Sequence, residues 1–459
     1  MDIKQIIKEQ EAFFKTGSTI PVKFRKTMLR ELAIAIRRNE KEIDEALKED
    51  MNKSPAETYL TETGMVIEEI RYHLKNIDKW ARAKRVRTPL SQFPAVSFRS
   101  PYPIGRVLIM APWNYPVNLS LMPLVGAISA GCTAVVKPSA LAPASSAVIA
   151  KILGDTFNER YIAVVEGGRE ENSQLLEEKF DHIFFTGSPQ VGHVVMEAAA
   201  KNLTPVTLEL GGKSPVIVDD TANIKLAAKR IAFGKVLNAG QTCVEPDYMF
   251  IHRDVKETFI YEFRKALEEF FPGGDMSDMN VIINEKHYER VKRLLGCGRC
   301  VLGGGFDDER RFIEPTLLEE VNISDPVMQE EIFGPVLPML VYRELDTCIE
   351  HIQANEAPLS LYLFSRDKAA MKRILSRCQF GGGCINDTIV HTASSYMPFG
   401  GVGNSGMGGY HGKASFDTFT HYRSILKKSN RLDLSMRYRP YTKDKEEFLR
   451  AFIGMDKFR

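Results

Sequence analysis

The first eighty residues carry apolar side chains at helical spacing among dense charge. In FRKTMLRELAIAIRRNEKEIDEALKEDM, residues 24–51, the spacing predicts a pair of amphipathic surface helices. Beyond residue 100 the period changes. GRVLIMAP, TAVVKPS, YIAVVEGG, DHIFFTGS and PVTLELGG are short β-rich apolar runs that stop at Gly, Pro or Ser. Helix-length stretches separate them, among them NLSLMPLVGAISAG and VGHVVMEAAAKN. This alternation predicts an α/β chain built on a doubly wound parallel sheet with both faces covered. SPVIVDD opens a second series, followed by helical ANIKLAAKRIAFGKVLNAG and then FIEPTLLEEV and GPVLPMLVY, so a second α/β domain is expected from about residue 211. SFDTFTHYRSIL, with its aromatic and β-branched content, fits an edge strand.

A length of 459 residues calls for two or three domains rather than one core. The balance of 61 basic against 59 acidic residues, net +2, gives no basic surface for a nucleic acid. Val107 to Val136 contains no charged residue, long enough in principle to cross a bilayer. It is interrupted by Pro112, Asn114, Pro116, Asn118, Pro123, Gly126 and Gly131, and reads better as strand, turn, buried helix and strand. The N-terminus lacks the apolar core of a secretory signal. Arg423 to Arg459 holds eleven basic residues against five acids; a solvated terminal helix is expected, with weak contact to an anionic surface as the alternative.

Seven scattered cysteines are no disulfide framework and suit a reducing cytoplasm. Cys297-Gly-Arg-Cys300 lacks a second pair that would complete a zinc site, and no metal is expected. Cys243 stands apart, in NAGQTCVEP, among small and amide-bearing neighbours of little use to a core. Gly187-Ser188-Pro189-Gln190-Val191-Gly192, between a strand and a helix, would let backbone N–H groups approach a phosphate at the helix start, although such a turn often needs glycine for packing alone. Lys137, at the end of the second strand, would donate to ribose hydroxyls or pair with a 2′-phosphate; read alone it is an exposed strand-end lysine.

Assembled in order, the motifs Pro112-Trp113-Asn114-Tyr115-Pro116, Leu208-Glu209-Leu210-Gly211-Gly212-Lys213, Gly240-Gln241-Thr242-Cys243, Glu330-Glu331-Ile332-Phe333-Gly334-Pro335 and Pro398-Phe399-Gly400-Gly401-Val402-Gly403 resemble those of aldehyde dehydrogenases. Asn386 to His391 and the SFDTFTH run resemble the class 3-like branch acting on fatty and aromatic aldehydes. The resemblance is strong from about residue 100 to 425 and looser over the helical start. It implies oxidation of an aldehyde to a carboxylic acid with NAD or NADP. Cys243 matches the nucleophile, Asn114 the oxyanion donor beside the Cys243 N–H, and Glu209 the base for the hydrolytic water. Lys137 and Ser139 match adenosine-side ligands, Ser188 the pyrophosphate contact and Glu331 the nicotinamide-ribose ligand. Trp113, Gly187, Gly192 and Phe333 complete the cofactor cleft, and Tyr115 and Phe399 the substrate tunnel.

The same resemblance divides the chain. Residues 1–81 and 105–210 form the N-terminal helices and cofactor domain, 211–405 the catalytic domain, 82–104 and 414–430 an oligomerisation arm of a homodimer, and 431–459 a tail. Two residues depart from the pattern. Ala140 stands where many NAD-preferring relatives place a ribose-chelating Glu, so NADP is expected to serve at least as readily as NAD. Glu245 replaces a small residue; it is expected to face away from the sulfur at the start of the next strand, since a carboxylate beside the thiol would oppose its ionisation. The rival readings are a CoA-acylating enzyme, which Glu209 argues against, a cysteine hydrolase, which lacks a recognisable histidine partner, and a silent family member.

Overall fold

A computed structural model describes residues 2–454. The helical start is as the periodicity predicts. In the helix Val22–Arg38, Leu29, Leu32 and Ile36 fall on one buried stripe, each worth about 1.5–3 kcal/mol of apolar burial. The helices Ile3–Lys15, Glu40–Met51 and Gly64–Trp80 bury comparable stripes.

Two sheets organise the rest. The first has six strands in the order Gly406–Met407, Val206–Leu210, His182–Gly187, Arg106–Met110, Thr133–Lys137, Ile162–Val164. All neighbours are parallel except the short Gly406–Met407, which lies antiparallel against Leu208 and Glu209. The register sets Met110 beside both Lys137 and Phe185, and Thr186 beside Glu209. The carboxyl ends of these strands therefore share one edge, where a parallel sheet presents its loops to ligands.

The uncharged stretch resolves into the strand Arg106–Met110, the helix Pro116–Ala130 and the strand Thr133–Lys137. Every residue of that helix is buried, which removes any need for a polar face. A Cβ on Gly126 would come within 2.8 Å of Ser415, so the glycine admits a close crossing there. Among the described residues no helix is long and apolar enough to cross a membrane.

The second sheet has seven strands, Arg299–Leu302, Thr316–Glu319, Val336–Tyr342, Tyr248–His252, Pro215–Val218, Ser360–Phe364 and Gly382–Ile385, parallel except for the first. A third sheet stands apart, with Thr420–Lys428 paired over nine residues to Ala95–Pro103 and Lys84–Val86 on the far edge.

SFDTFTHYRSIL is only half strand. Its first part belongs to a helix, Lys413–Thr418, and the strand begins at Thr420. Ser415 and Phe416 are buried beside Phe419, so packing against the buried helix overrides the local β preference. The basic terminal segment also divides, between that strand and an exposed helix Lys443–Ile453; its last five residues lie outside those described.

Candidate active site

A cleft of about 630 Å³ opens at the carboxyl edge of the first sheet, against the second. Trp113 and Asn114 enter it from the turn after Arg106–Met110, and Gly187 and Ser188 from the turn after His182–Gly187. Glu209 enters from the strand Val206–Leu210, and Cys243 from the turn beyond the helix Ile224–Val236. Glu331 and Phe333 close the far wall. Segments more than 200 residues apart in sequence thus meet in one cavity.

The thiol sits at the end of a loop that local preference alone would not form. Asn238, Ala239 and Gly240 all have positive φ, at 53°, 52° and 70°, and the two non-glycine residues each carry a cost of about 1–2 kcal/mol. Hydrogen bonds fix the loop. The Asn238 N–H donates to Glu57 Oε1 at 2.9 Å, and Asn238 Nδ2 donates to the carbonyls of Asn114 (2.8 Å) and Gln241 (3.0 Å). Gln241 Nε2 donates to Asn238 O and Val281 O, both at 3.0 Å. Asn114 Nδ2 donates to Gln241 O at 3.0 Å, which aligns that amide against the nucleophile loop and leaves its second proton for the cleft. Tyr115 is buried, its hydroxyl 2.6 Å from Thr242 Oγ1 and its ring 4.4 Å from the Lys53 ammonium. Lys53 is itself paired with buried Glu62 at 2.8 Å.

The electrostatics hold protons on the site. Cys243 is half-buried, and burial with the charges of Glu331 and Glu209 pushes its thiol well up. Burial alone raises Glu209 far above the usual carboxylate range, and neither of its oxygens has a hydrogen-bond partner. A Cβ on Gly400 would approach Glu209 Oε1 to 3.3 Å, so the glycine-rich loop closes over the acid. Glu331 is raised to about 8 by burial and by Asp247, and its Oε1 is also unpartnered. Buried carboxylates left without donors mark places where a bound molecule supplies them.

A dinucleotide fits this cleft. Gly187, Ser188, Pro189 and Gln190 bring the N-terminus of the helix Pro189–Lys201 to its wall, with Ser188 as the N-cap. Trp113 and Phe333 meet edge-to-face at 5.4 Å, and the His287 ring lies tilted against the indole at 5.3 Å, so three aromatic rings cluster on the lining. Glu331 offers unpartnered Oε1 to a hydroxyl.

Other expected residues lie elsewhere. Lys137 is buried rather than an exposed strand-end lysine, and its ammonium donates to Pro138 O (2.8 Å) and Gly167 O (2.6 Å). Neither it nor Ser139 lines the main cleft. A Cβ on Gly192 would meet Leu210 at 2.8 Å, so this glycine lets its helix approach the strand. Phe399 is buried between His391, Tyr410 and His411. His411 lines a separate hollow of 210 Å³ with Tyr59, Met65 and Met122. Glu245 lies in the turn before Tyr248–His252 rather than on that strand; it is fully buried and paired with Lys235 at 2.8 Å. Glu57, Lys213, His287 and Arg290 belong to the site's surroundings without having stood out in the sequence. Only Lys213, inside the LELGGK run, sat within a recognised motif.

Comparison with known proteins gives a consistent answer. The profile of the aldehyde dehydrogenase family matches residues 1–425. The chain is 49% identical over 455 residues to the 4,4′-diaponeurosporen-aldehyde dehydrogenase of Staphylococcus aureus, covering 98% of this chain and 99% of that one. It is 44% identical over 431 residues to human aldehyde dehydrogenase family 3 member B1, covering 93% of this chain and 92% of that one. The solved substrate-bound state of Staphylococcus aureus AldH superposes with a TM-score of 0.96 at 48% identity, covering 99% and 100% of the two chains.

Proposed function

The chain belongs to the aldehyde dehydrogenase family and is an NAD(P)-dependent aldehyde dehydrogenase; from that premise we propose that it oxidises an aldehyde to a carboxylic acid through covalent catalysis at Cys243. The observation that carries this reading is the meeting of Cys243, Asn114 and unpartnered Glu209 in one cleft fitted to a dinucleotide.

Burial pushes the thiol up, so the sulfur would give its proton to solvent as it attacks the carbonyl carbon. A carbon–sulfur bond forms, and the carbonyl oxygen becomes an alkoxide. The free proton of the Asn114 amide and the Cys243 N–H would stabilise that charge. When bound, the nicotinamide supplies the acceptor for the hydride that leaves the carbon, which is thereby oxidised to a thioester on Cys243. Glu209 in its ionised form would then remove a proton from water, whose oxygen attacks the thioester; the carbon–sulfur bond breaks, the departing sulfur takes the proton from Glu209, and the carboxylic acid and free thiol result. Burial without a donor favours the protonated form of Glu209, and makes its ionised form a stronger base than an exposed carboxylate.

Glu331 would hold a ribose hydroxyl, and Trp113 and Phe333 would wall the nicotinamide side. Lys137, with two of its three protons committed to carbonyls, keeps one for the adenosine ribose or a 2′-phosphate. Ala140 is exposed and adds no negative charge there, so NADP would serve at least as readily as NAD. The three-stranded sheet would act as the arm of a homodimer, which sedimentation of the intact protein would test.

The discriminating experiment is an aldehyde panel followed by nicotinamide absorbance with both cofactors, with and without CoA. Carboxylic acid as the product, and loss of all oxidation in Cys243→Ser, support the reading. Formation of an acyl-CoA instead would overturn the hydrolytic step.

A further inference from the structure

Two acids follow the nucleophile at two and four residues' distance, and both are buried. Asp247 Oδ1 accepts the Ile332 N–H at 2.7 Å, and Glu245 Oε1 accepts the Gly334 N–H at 3.4 Å. These amides flank Phe333, a non-glycine residue at φ 50° that packs on Trp113 in the cleft. Each acid has its own lysine from a different direction. Lys235, from the helix Ile224–Val236, pairs with Glu245, and Lys213, from the LELGGK turn, pairs with Asp247. Lys213 also donates to the carbonyls of Val327 (2.9 Å) and Glu330 (2.7 Å). The fit leaves no slack: a Cβ on Gly240 would lie 2.4 Å from Gly334 O and 2.5 Å from Glu245 Oε2.

We infer that Glu245 and Asp247, with Lys235 and Lys213 as counter-ions, are positioning residues that lock the Glu331–Phe333 wall of the cofactor cleft to the loop carrying Cys243. A buried carboxylate without a cation would be costly, and a wall segment with left-handed Phe333 would relax without acceptors on either side. Glu245 is engaged by Lys235 and by the Gly334 N–H, so it acts through the wall. Its replacement of a small residue thereby gains a physical reason. The inference rests on the cofactor reading of the cleft given above.

The test compares Lys235→Met/Glu245→Gln with Lys235→Met/Glu245→Leu. Both lack the ion pair and have nearly equal size, but only the first keeps an acceptor for the Gly334 N–H. The dissociation constants of NAD and NADP are read from quenching of tryptophan fluorescence. The Leu variant is expected to bind cofactor about fivefold more weakly than the Gln variant, within the range for one buried hydrogen bond. Alkylation of Cys243 by iodoacetamide without cofactor, followed on its peptide, is expected to be equal in both. Equal cofactor affinity would overturn the inference, as would a parallel loss of alkylation, which would mean the whole loop had moved. In the wild-type protein without cofactor, the amides of Ile332 and Gly334 are expected to exchange hydrogen as slowly as those of the strand Val336–Tyr342. Exchange at the rate of an exposed loop would overturn the inference without any variant. A wild-type protein that bound neither NAD nor NADP would instead sink the underlying functional reading.

Discussion

Replacing Asn114 with Ala separates catalysis from stability, because its amide serves the fold in a bond that has a substitute. Asn114 Nδ2 donates to Gln241 O, but that carbonyl also accepts from Asn238 Nδ2 at 3.0 Å. Removing the Asn114 side chain therefore leaves Gln241 O satisfied, and the loop keeps its bonds from Asn238 N–H to Glu57 and from Gln241 Nε2 to Val281. The stability cost is about 1 kcal/mol, that of one hydrogen bond without an orphaned partner. The catalytic cost is of another size. A pre-oriented donor lost from a developing oxyanion lowers the rate about 100- to 1,000-fold. Steady-state oxidation of an accepted aldehyde measures the rate, and thermal unfolding the stability. A variant that kept activity within about threefold would refute the role of Asn114; a large loss of both quantities would make its contribution structural.

Further outcomes follow from the same geometry. Glu209→Gln should reduce about one cofactor per site in a burst and then stall, since hydride departs before water attacks; stopped-flow absorbance reads this, and loss of the burst would place Glu209 at the thiol step. Glu331 is raised from 4.5 to about 8, so the stability it confers is complete below its unfolded value and is lost as pH rises towards 8. Glu331→Gln should therefore melt higher than wild type at pH 8 but not at pH 5, where equal shifts at both pH values would contradict the assignment. Ala140→Glu should lower kcat/KM for NADP relative to NAD about tenfold by placing a like charge near the 2′-phosphate, and an unchanged ratio would show that this position does not read it.

Much of the scaffold could be read from the chain because the strands of the first sheet lie in short β-rich runs that stop at Gly, Pro or Ser. GRVLIMAP, TAVVKPS and PVTLELGG all appear as strands of the first sheet. Once their carboxyl ends share an edge, Asn114 and Glu209 both face the cleft at that edge. Other features escaped for physical reasons. The helix Lys413–Thr418 forms because it packs against a helix nearly 300 residues earlier, which no local preference reveals. Glu57 is an unremarkable acid on a polar helical stretch until its carboxylate meets the Asn238 N–H. The partners of Glu245 lie on both sides of it in sequence, at Lys235 and Gly334, so a lone acid beside the thiol looked like an intrusion. Lys137 was legible as a strand-end residue, but its burial depends on Gly167 from the neighbouring turn.

The central claim is a covalent acyl intermediate on Cys243, and its most direct test is mass spectrometry of Glu209→Gln quenched after mixing with an aldehyde and cofactor. The predicted result is a mass increase equal to one acyl group, carried by the peptide that contains Cys243 and absent without cofactor. An unmodified Cys243 peptide after a full burst of cofactor reduction, or an acyl group on another cysteine, would contradict the account.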